Sequence, residues 1–319
     1  MQSLRQTLKF PERTAQVIGG GVIGLSIAME LAHRGVAMTV VDRAAGSAAT
    51  PAAAGMLAAE DEDHPAALRP LALYSRELYA TYRSIVERDS GLAVPLQTRE
   101  TVVHNAGGGR HTLREDSLDP RMLLAALHEA ARHRGIGFTE IPMPGVRSIL
   151  AAGAWAREMS GLPLSPAKGQ MLRVALPPSL RGLAQVHRAP DIYIVPRTQG
   201  PQAGTALVGA TVEDAGFDAT VHPERLAPLR RASARIFAEL RNEQLAPTVE
   251  SWAGLRPKTP DALPVLDMRA DGTLLALGHF RNGILLAPAT AAIVADLFEG
   301  VSPQIDLSAF RAGRFSRSA

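Results

Sequence analysis

Cysteine is absent from the 319-residue chain. That excludes disulfides, thiolate metal sites and cysteine nucleophiles, and it accords with a reducing compartment. Lysine is nearly absent: Lys9, Lys168 and Lys258 stand alone, so arginine carries almost all of the positive charge. The net charge is only +3 and the basic residues are scattered, so no nucleic-acid partner is expected. The first ten residues hold Arg5 and Lys9 but no apolar core of a secretory signal. The longest apolar run, Val17 to Ala32, is glycine-rich, contains Glu30 and is too short to span a bilayer. A soluble cytoplasmic protein without stable membrane association is expected, with homo-oligomerisation left open. Catalytic motifs are missing too. The nine histidines show no H-E-x-x-H or paired metal spacing, there is no G-x-S-x-G elbow, and Asp261 to Asp271 lacks the calcium-loop pattern. No metal site is expected, and the missing base–nucleophile set fits chemistry done by a cofactor.

What is present begins at Val17. Val17-Ile18-Gly19-Gly20-Gly21-Val22-Ile23-Gly24 is a short apolar strand running into G-x-G-x-x-G. Leu25 to Arg34 then carries apolar residues at helical spacing up to Gly35, and Met38 to Val41 is a second strand ending on Asp42. Gly19 permits the tight turn, Gly21 lets a pyrophosphate approach the backbone, and Gly24 lets the helix pack close to the strand. The helix start, with Val22 and Ile23, offers free N–H groups and a positive dipole end to the diphosphate. Asp42, followed by Arg43, can accept the hydroxyls of an adenosine ribose. Strand, turn, helix, strand and acid in this order predict a dinucleotide site.

The hydrophobic content of 46 % supports a substantial core, in one large or two interleaved domains. After Asp42, the small residues Ala44 to Leu57 suit a backbone lying flat against a ligand. Asp61 to Asp89 reads as one long helix or two. Leu92 to Leu96 and Glu100 to Val103 read as strands, and Asn105 to Gly109 as a turn or joint. A helix from Asp119-Pro120 to Arg134 precedes strands at Ile136–Ile141 and Ile149–Trp155. Further strands are expected at Gly169–Leu176, Asp191–Arg197, Ala206–Ala210, Glu250–Leu255 and Leu274–Leu277, with helices at Pro223–Leu240 and about Ile284–Phe298.

The C-terminal third repeats the logic of the first. Gly278-His279-Phe280-Arg281-Asn282-Gly283-Ile284 is a strand end, a polar loop and a glycine opening a last apolar helix, whose N-terminus would stabilise negative charge. Arg256 ends a strand and is followed by Pro257. With Arg281 it could clamp a carboxylate, because each guanidinium offers a planar two-donor fork. Alternation along Asp191 to Arg197 puts Asp191, Tyr193 and Val195 on one face, so Tyr193 could point a hydroxyl into a pocket.

With these residues in hand, the chain resembles the glycine oxidase branch of the D-amino-acid oxidase family of flavoproteins. The likeness runs from about Gln16 to Phe310. It is strongest in Val17–Asp42, in Ala52 to Leu57, in Trp252–Pro257 with Thr259-Pro260-Asp261, and in Gly278–Thr290. It implies a Rossmann-type FAD-binding domain, at residues 13–58, 112–169 and 253–310, interleaved with a mixed-sheet α+β substrate domain at 59–111 and 170–252. It also implies non-covalent FAD and oxidative deamination of glycine, other small amines or D-amino acids, with O2 as acceptor and hydrogen peroxide as product, in thiamine thiazole synthesis. The rivals are a dehydrogenase of the same fold that passes electrons to a quinone, and a shortened member without catalysis. By motif, Asp42 would hold the ribose and Thr50, Ala54, Gly55 and Met56 would line the flavin. Asn282, Gly283, Ile284 and Leu285 would close over its ring, and Tyr193, Arg256 and Arg281 would hold the substrate carboxylate. The family usually has a longer segment where this chain has His104 to Gly109, and a β-hairpin where it has Pro142 to Ser148. The second departure thins the cover over adenine and leaves Ile141 or Val146 for a backbone contact there. Asp191 is not the residue type expected near the substrate.

Overall fold

A computed structural model describes residues 13–43, 48–61 and 63–315. Arg5 and Lys9, and Ala44 to Ser47 of the small-residue loop, lie outside the described residues. Two larger sheets carry the architecture. The first runs in the order Val265–Met268 (β14), Leu274–Leu277 (β15), Arg147–Leu150 (β8), Thr14–Ile18 (β1), Ala37–Val41 (β2) and Gly137–Thr139 (β7). All its pairings are parallel except β14 with β15. The second runs Thr248–Lys258 (β13), Ser165–Ala175 (β9), Thr205–Gly209 (β12), Ile192–Arg197 (β11), Val186–Ala189 (β10), Thr101–His104 (β4) and Arg110–Leu113 (β5). It is mixed, because β10 and β4 pair in parallel while the others are antiparallel. Leu96–Thr98 (β3) and Ser117–Leu118 (β6) form a small third sheet.

The helices are Val22–His33 (α1), Ala49–Ala52 (α2), Arg69–Ser90 (α3), Pro120–His133 (α4), Ala156–Ser160 (α5), Pro223–Ser233 (α6) and Gly283–Glu299 (α7). α1 is buried on nearly every side, as expected of a helix packed on a parallel sheet. α1, α4, α7 and α3 share one apolar core with the first sheet, through residues such as Leu25, Leu71, Leu123 and Ile293. α3 therefore joins this core although it lies in the 59–111 segment. α6 covers the second sheet through Leu229 and Ala232 against Ile192, Ile194 and Val208. Among the described residues, no helix is long and apolar enough to cross a membrane.

Several elements differ from the sequence expectation, for local reasons. The helix expected from Asp61 starts at Arg69, after a 3-10 turn at Ala66–Leu68. Leu92 to Pro95 is not a strand, because the Val94 N–H is taken by the Glu87 carboxylate at 2.8 Å. The strand at 136–141 is cut to Gly137–Thr139, where the Thr139 hydroxyl accepts the Ile141 N–H. The apolar stretch Ile149–Trp155 leaves the sheet after Leu150 and coils into a 3-10 turn at Gly153–Trp155. The helix expected to reach Leu240 ends at Ser233, and the extended Phe237 packs its ring edge on His187 at 4.7 Å. The joint at 105–109 is a hairpin turn between β4 and β5, closed by Asn105 N–H on Gly109 O at 2.8 Å.

Candidate functional site

One cavity of about 1040 Å³ runs between the C-terminal edge of the first sheet and the face of the second. At one end it is lined by Ile18 to Ile23, Asp42, Arg43, Leu124, His128 and Pro142, and at the other by Gly169, Met171, Tyr193, Arg256 and Arg281. The switch-point rule places a ligand outside the carboxyl ends of parallel strands, and β1, β2 and β8 all end on this cavity.

The first end is built by backbone. Gly19 has φ +121°, and its N–H bonds Val41 O while Ala151 N–H bonds Ile18 O, both at 2.8 Å. A Cβ on Gly24 would overlap the Gly19 carbonyl, so this glycine sets how closely α1 approaches β1. Gly20, which the sequence reading passed over, lies against Asp42: a Cβ there would come within 2.8 Å of the Asp42 carboxyl carbon. No side chain therefore intrudes where the turn, the helix start and the acid meet. Thr50 adds a hydroxyl that accepts the Val22 N–H at 3.1 Å, tying the next segment to the start of α1.

That segment, Thr50 to Met56, lines the middle of the cavity. Three long side chains hold its carbonyls. Arg121 donates to Pro51 O at 3.1 Å, Trp252 Nε1 to Ala52 O at 3.2 Å and Arg197 to Ala54 O at 2.9 Å. Arg197 is almost fully buried, and burial brings its pKa down to about 10 against the opposing pull of Asp119. Sequence spacing marks none of these three, because each contact crosses a long stretch of chain. Gly55 and Met56 are fixed by pairing with β6: Leu118 N–H bonds Gly55 O at 3.0 Å, and Met56 bridges Ser117.

The second end is built by side chains. β11 alternates as expected: Tyr193 and Val195 pack with Ala54 and Met171, and Ile192 and Ile194 face α6. Arg256 lies across Gly169 of β9, where any Cβ would land on its guanidinium, and it donates to Thr211 O at 3.2 Å. Burial lowers the Arg256 pKa, against the pull of Tyr193, and raises that of Tyr193. The Arg281 charge also disfavours that of Arg256. Arg281 is exposed, with Asp63 4.0 Å away. Two guanidiniums and a phenol facing one space attract a planar anion, for which a bidentate fork suits a carboxylate.

α7 points its first turn at the same space. Pro288 lacks an N–H, which frees the Ile284 carbonyl inside the helix. The buried Tyr79 hydroxyl donates to that carbonyl at 3.0 Å, and Ser75 donates to Leu285 O at 2.6 Å. α3 thus fixes the start of α7. Phe280 holds φ +46° there, with its N–H on Pro257 O at 2.8 Å. Beneath it His279 is buried on Thr290 at 3.0 Å, and burial brings its pKa down to about 3.

Of the residues expected at the site, Gly19, Gly21, Val22, Ile23, Asp42, Arg43, Thr50, Ala54, Gly55, Met56, Tyr193, Arg256, Arg281, Gly283 and Ile284 all line this cavity. Three of the residues expected at the cofactor do not. Gly24 acts inside the α1–β1 contact, the Asn282 amide oxygen is taken by His64 at 3.0 Å, and the Leu285 side chain is buried in the core. Asp191 is exposed and paired with Arg235, away from the cavity. At the first end, Pro142 lines the cavity, whereas Ile141 is exposed and Val146 is buried. Trp155, Met159, Phe217 and His128 line it without having been singled out in the sequence.

A glycine cradle opening onto a strand-end acid is the architecture of a dinucleotide-cofactor enzyme of the Rossmann class. The chain matches the FAD dependent oxidoreductase family over residues 15–105 and 94–297, and it belongs to that family. It is 34 % identical to the bifunctional protein ThiO/ThiG of Trichormus variabilis, over 96 % of this chain and 56 % of that one. It thus spans just over half the length of that relative. A glycine oxidase of Geobacillus kaustophilus is 31 % identical over 92 % of this chain and 95 % of its own. The crystal structure of glycine oxidase from Geobacillus kaustophilus superposes with a TM-score of 0.86 at 28 % identity, covering 95 % of this chain and 98 % of that one. FAD, the cofactor of the family, fits the residues present: the Gly20–Asp42 contact and the free approach to the start of α1 leave a cradle that any side chain would fill.

Proposed function

We propose that the protein is an FAD-dependent oxidase of glycine and similar small amines or D-amino acids. The observation that carries the reading is the pair Arg256 and Arg281 with Tyr193, at the far end of a cavity that begins in a dinucleotide cradle. In this reading Asp42 holds the adenosine ribose, and the first turn of α1 with Thr50 faces the diphosphate. Ala54, Gly55 and Met56, with Gly283 and Ile284, border the flavin ring. FAD, when bound, supplies the electron acceptor. The two arginines bind and orient the substrate carboxylate, and the half-buried Tyr193 stays protonated and donates to it. Orientation supplies most of the acceleration, since a fixed pose converts a collision into an intramolecular step. No general base is needed if the amine enters neutral. The segments 13–58, 112–169 and 253–310, joined by α3, form the FAD-binding domain, and the remainder of 59–252 forms the substrate domain.

The names ThiO/ThiG and glycine oxidase among the relatives support glycine as substrate and a place in thiamine thiazole synthesis. A cytoplasmic location and O2 as acceptor belong to the same proposal. Anaerobic addition of glycine to the purified yellow protein should bleach its flavin bands, and admitting oxygen should restore them with formation of peroxide. Bands that stay unbleached would reject glycine. Bands that bleach and return only with a quinone would make the protein a dehydrogenase.

A further inference from the structure

Residues 210–222, between β12 and α6, bring Phe217 to the cavity and the Thr211 carbonyl to Arg256, and the neighbouring strand β9 fastens them at several points. Lys168 is fully buried, and its ammonium is 3.1 Å from the carboxylate of Asp218. A buried ammonium is costly to leave unpaired, so this bond fixes where Asp218 sits. Gln170, also fully buried, donates to Glu213 at 2.8 Å and accepts the His222 N–H at 2.6 Å. Backbone bonds join Lys168 and Glu213 in both directions, at 3.0 and 2.9 Å. The segment is therefore held on both sides of Phe217, next to Gly169, over which Arg256 lies.

Phe217 uses this anchorage to face the cavity. Its ring centroid is 5.8 Å from that of Trp155, at 34°, and both rings line the cavity with Met159. Phe217 is nonetheless 54 % exposed and Met159 42 %. Folding leaves these apolar surfaces uncovered at the rim of a binding cavity, which is where exposed apolar groups serve ligand contact.

We infer that Phe217, held by Lys168 and Gln170 and set against Trp155, is the wall that limits the size of amine admitted to the reacting end. The inference rests on the carboxylate-binding role proposed for Arg256 and Arg281. With the carboxylate held by guanidiniums, any substituent on the amine-bearing carbon must be accommodated by the apolar lining. Glycine carries none. A bulky substituent has to displace Phe217, and the anchors on either side oppose that movement.

The test uses the FAD-loaded protein and two readouts. The first is the Kd of glycolate and of phenylacetate, from their perturbation of the flavin spectrum. The second is kcat/KM for glycine and for D-phenylalanine. Because Phe217 is half exposed, Phe217→Ala should fold. It should tighten phenylacetate and raise the D-phenylalanine to glycine ratio by about tenfold or more, while glycolate changes little, since apolar pockets discriminate by about 10- to 200-fold per methylene. Phe217→Trp should shift the same ratio the other way. Unchanged selectivity in both variants overturns the wall. Arg281→Ala should weaken both carboxylates about tenfold or more. If it does not, the carboxylate reading fails, whereas ligands that depend on Arg281 but not on Phe217 overturn the wall alone.

Discussion

At the nucleotide end, the cavity wall comes mainly from one βαβ unit, Ile18 to Ile23 and Val41 to Arg43, and presents chiefly backbone. At the reacting end, Tyr193, Arg256, Arg281, Trp155 and Phe217 come from separate segments and present side chains. A backbone wall of this kind recurs wherever a glycine-rich βαβ turn holds a dinucleotide. A side-chain wall can change residue by residue, so substrate choice can vary without disturbing the cofactor. The two ends should therefore respond differently to substitution: the first through folding and cofactor binding, the second through the substrate alone.

The largest expected effect breaks the first end. Gly24→Leu would drive a side chain into the Gly19 carbonyl, and such overpacking should cost about 3 kcal/mol. Urea unfolding should register the loss, and the purified variant should be colourless. A variant of normal stability and colour would show that the close α1–β1 contact is dispensable.

Next, Arg256→Lys keeps the charge and removes the two-donor fork. The glycine KM should rise by roughly tenfold or more, with unchanged flavin content. Gly169→Ala, which leaves the arginine in place but takes the space its guanidinium occupies, should reproduce that defect. Normal glycine kinetics in both would remove Arg256 from the substrate.

Acid should act on stability through His279. Its pKa is lowered to about 3 by burial, so below the ordinary histidine value the unfolded chain takes up a proton that the folded chain refuses. Stability is therefore complete above about pH 6.5 and falls as the pH drops toward 3, by about 1 kcal/mol per unit. His187, lowered to about 4, acts in the same direction with a smaller share because it is less enclosed. Urea titrations at pH 7 and 5 should give this difference, and His279→Gln should reduce it. Equal midpoints in the parent protein would contradict the assignment.

The smallest effect is at Thr50. Thr50→Val removes the acceptor for the Val22 N–H, a cap-like loss of about 0.5–1 kcal/mol, and FAD should bind more weakly. Glycine KM at saturating FAD should be unaltered. A raised KM there would blur the division between the ends.

The nucleotide end was the more legible in the sequence, because strand, turn, helix and acid follow in order and each step is local. Arg256, Arg281 and Tyr193 were legible as cavity residues too: Tyr193 by strand alternation, Arg281 by the polar loop before α7, and Arg256 by the Gly- and Pro-bounded stretch around it, although β13 does not end there but runs on to Lys258. What escaped was held by long-range contacts. Arg197, Arg121 and Trp252 carry no local mark of the carbonyls they hold. Phe217 lies in a loop whose position depends on a buried lysine in another strand. β10, Val186-His187-Arg188-Ala189, was missed because its polar residues hide the strand pattern. β14, Val265-Leu266-Asp267-Met268, was missed because it lies at the sheet edge and an aspartate interrupts its short apolar run, unlike the uniformly apolar β15. Tertiary pairing decides such segments.

The most direct test of the division is FAD affinity and glycine KM measured side by side in Arg281→Ala. The account predicts an FAD Kd like that of the parent protein and a KM raised roughly 10- to 150-fold, matching 1.5–3 kcal/mol for a charged hydrogen bond. A KM left unchanged, or an FAD Kd that rises together with it, would contradict the account.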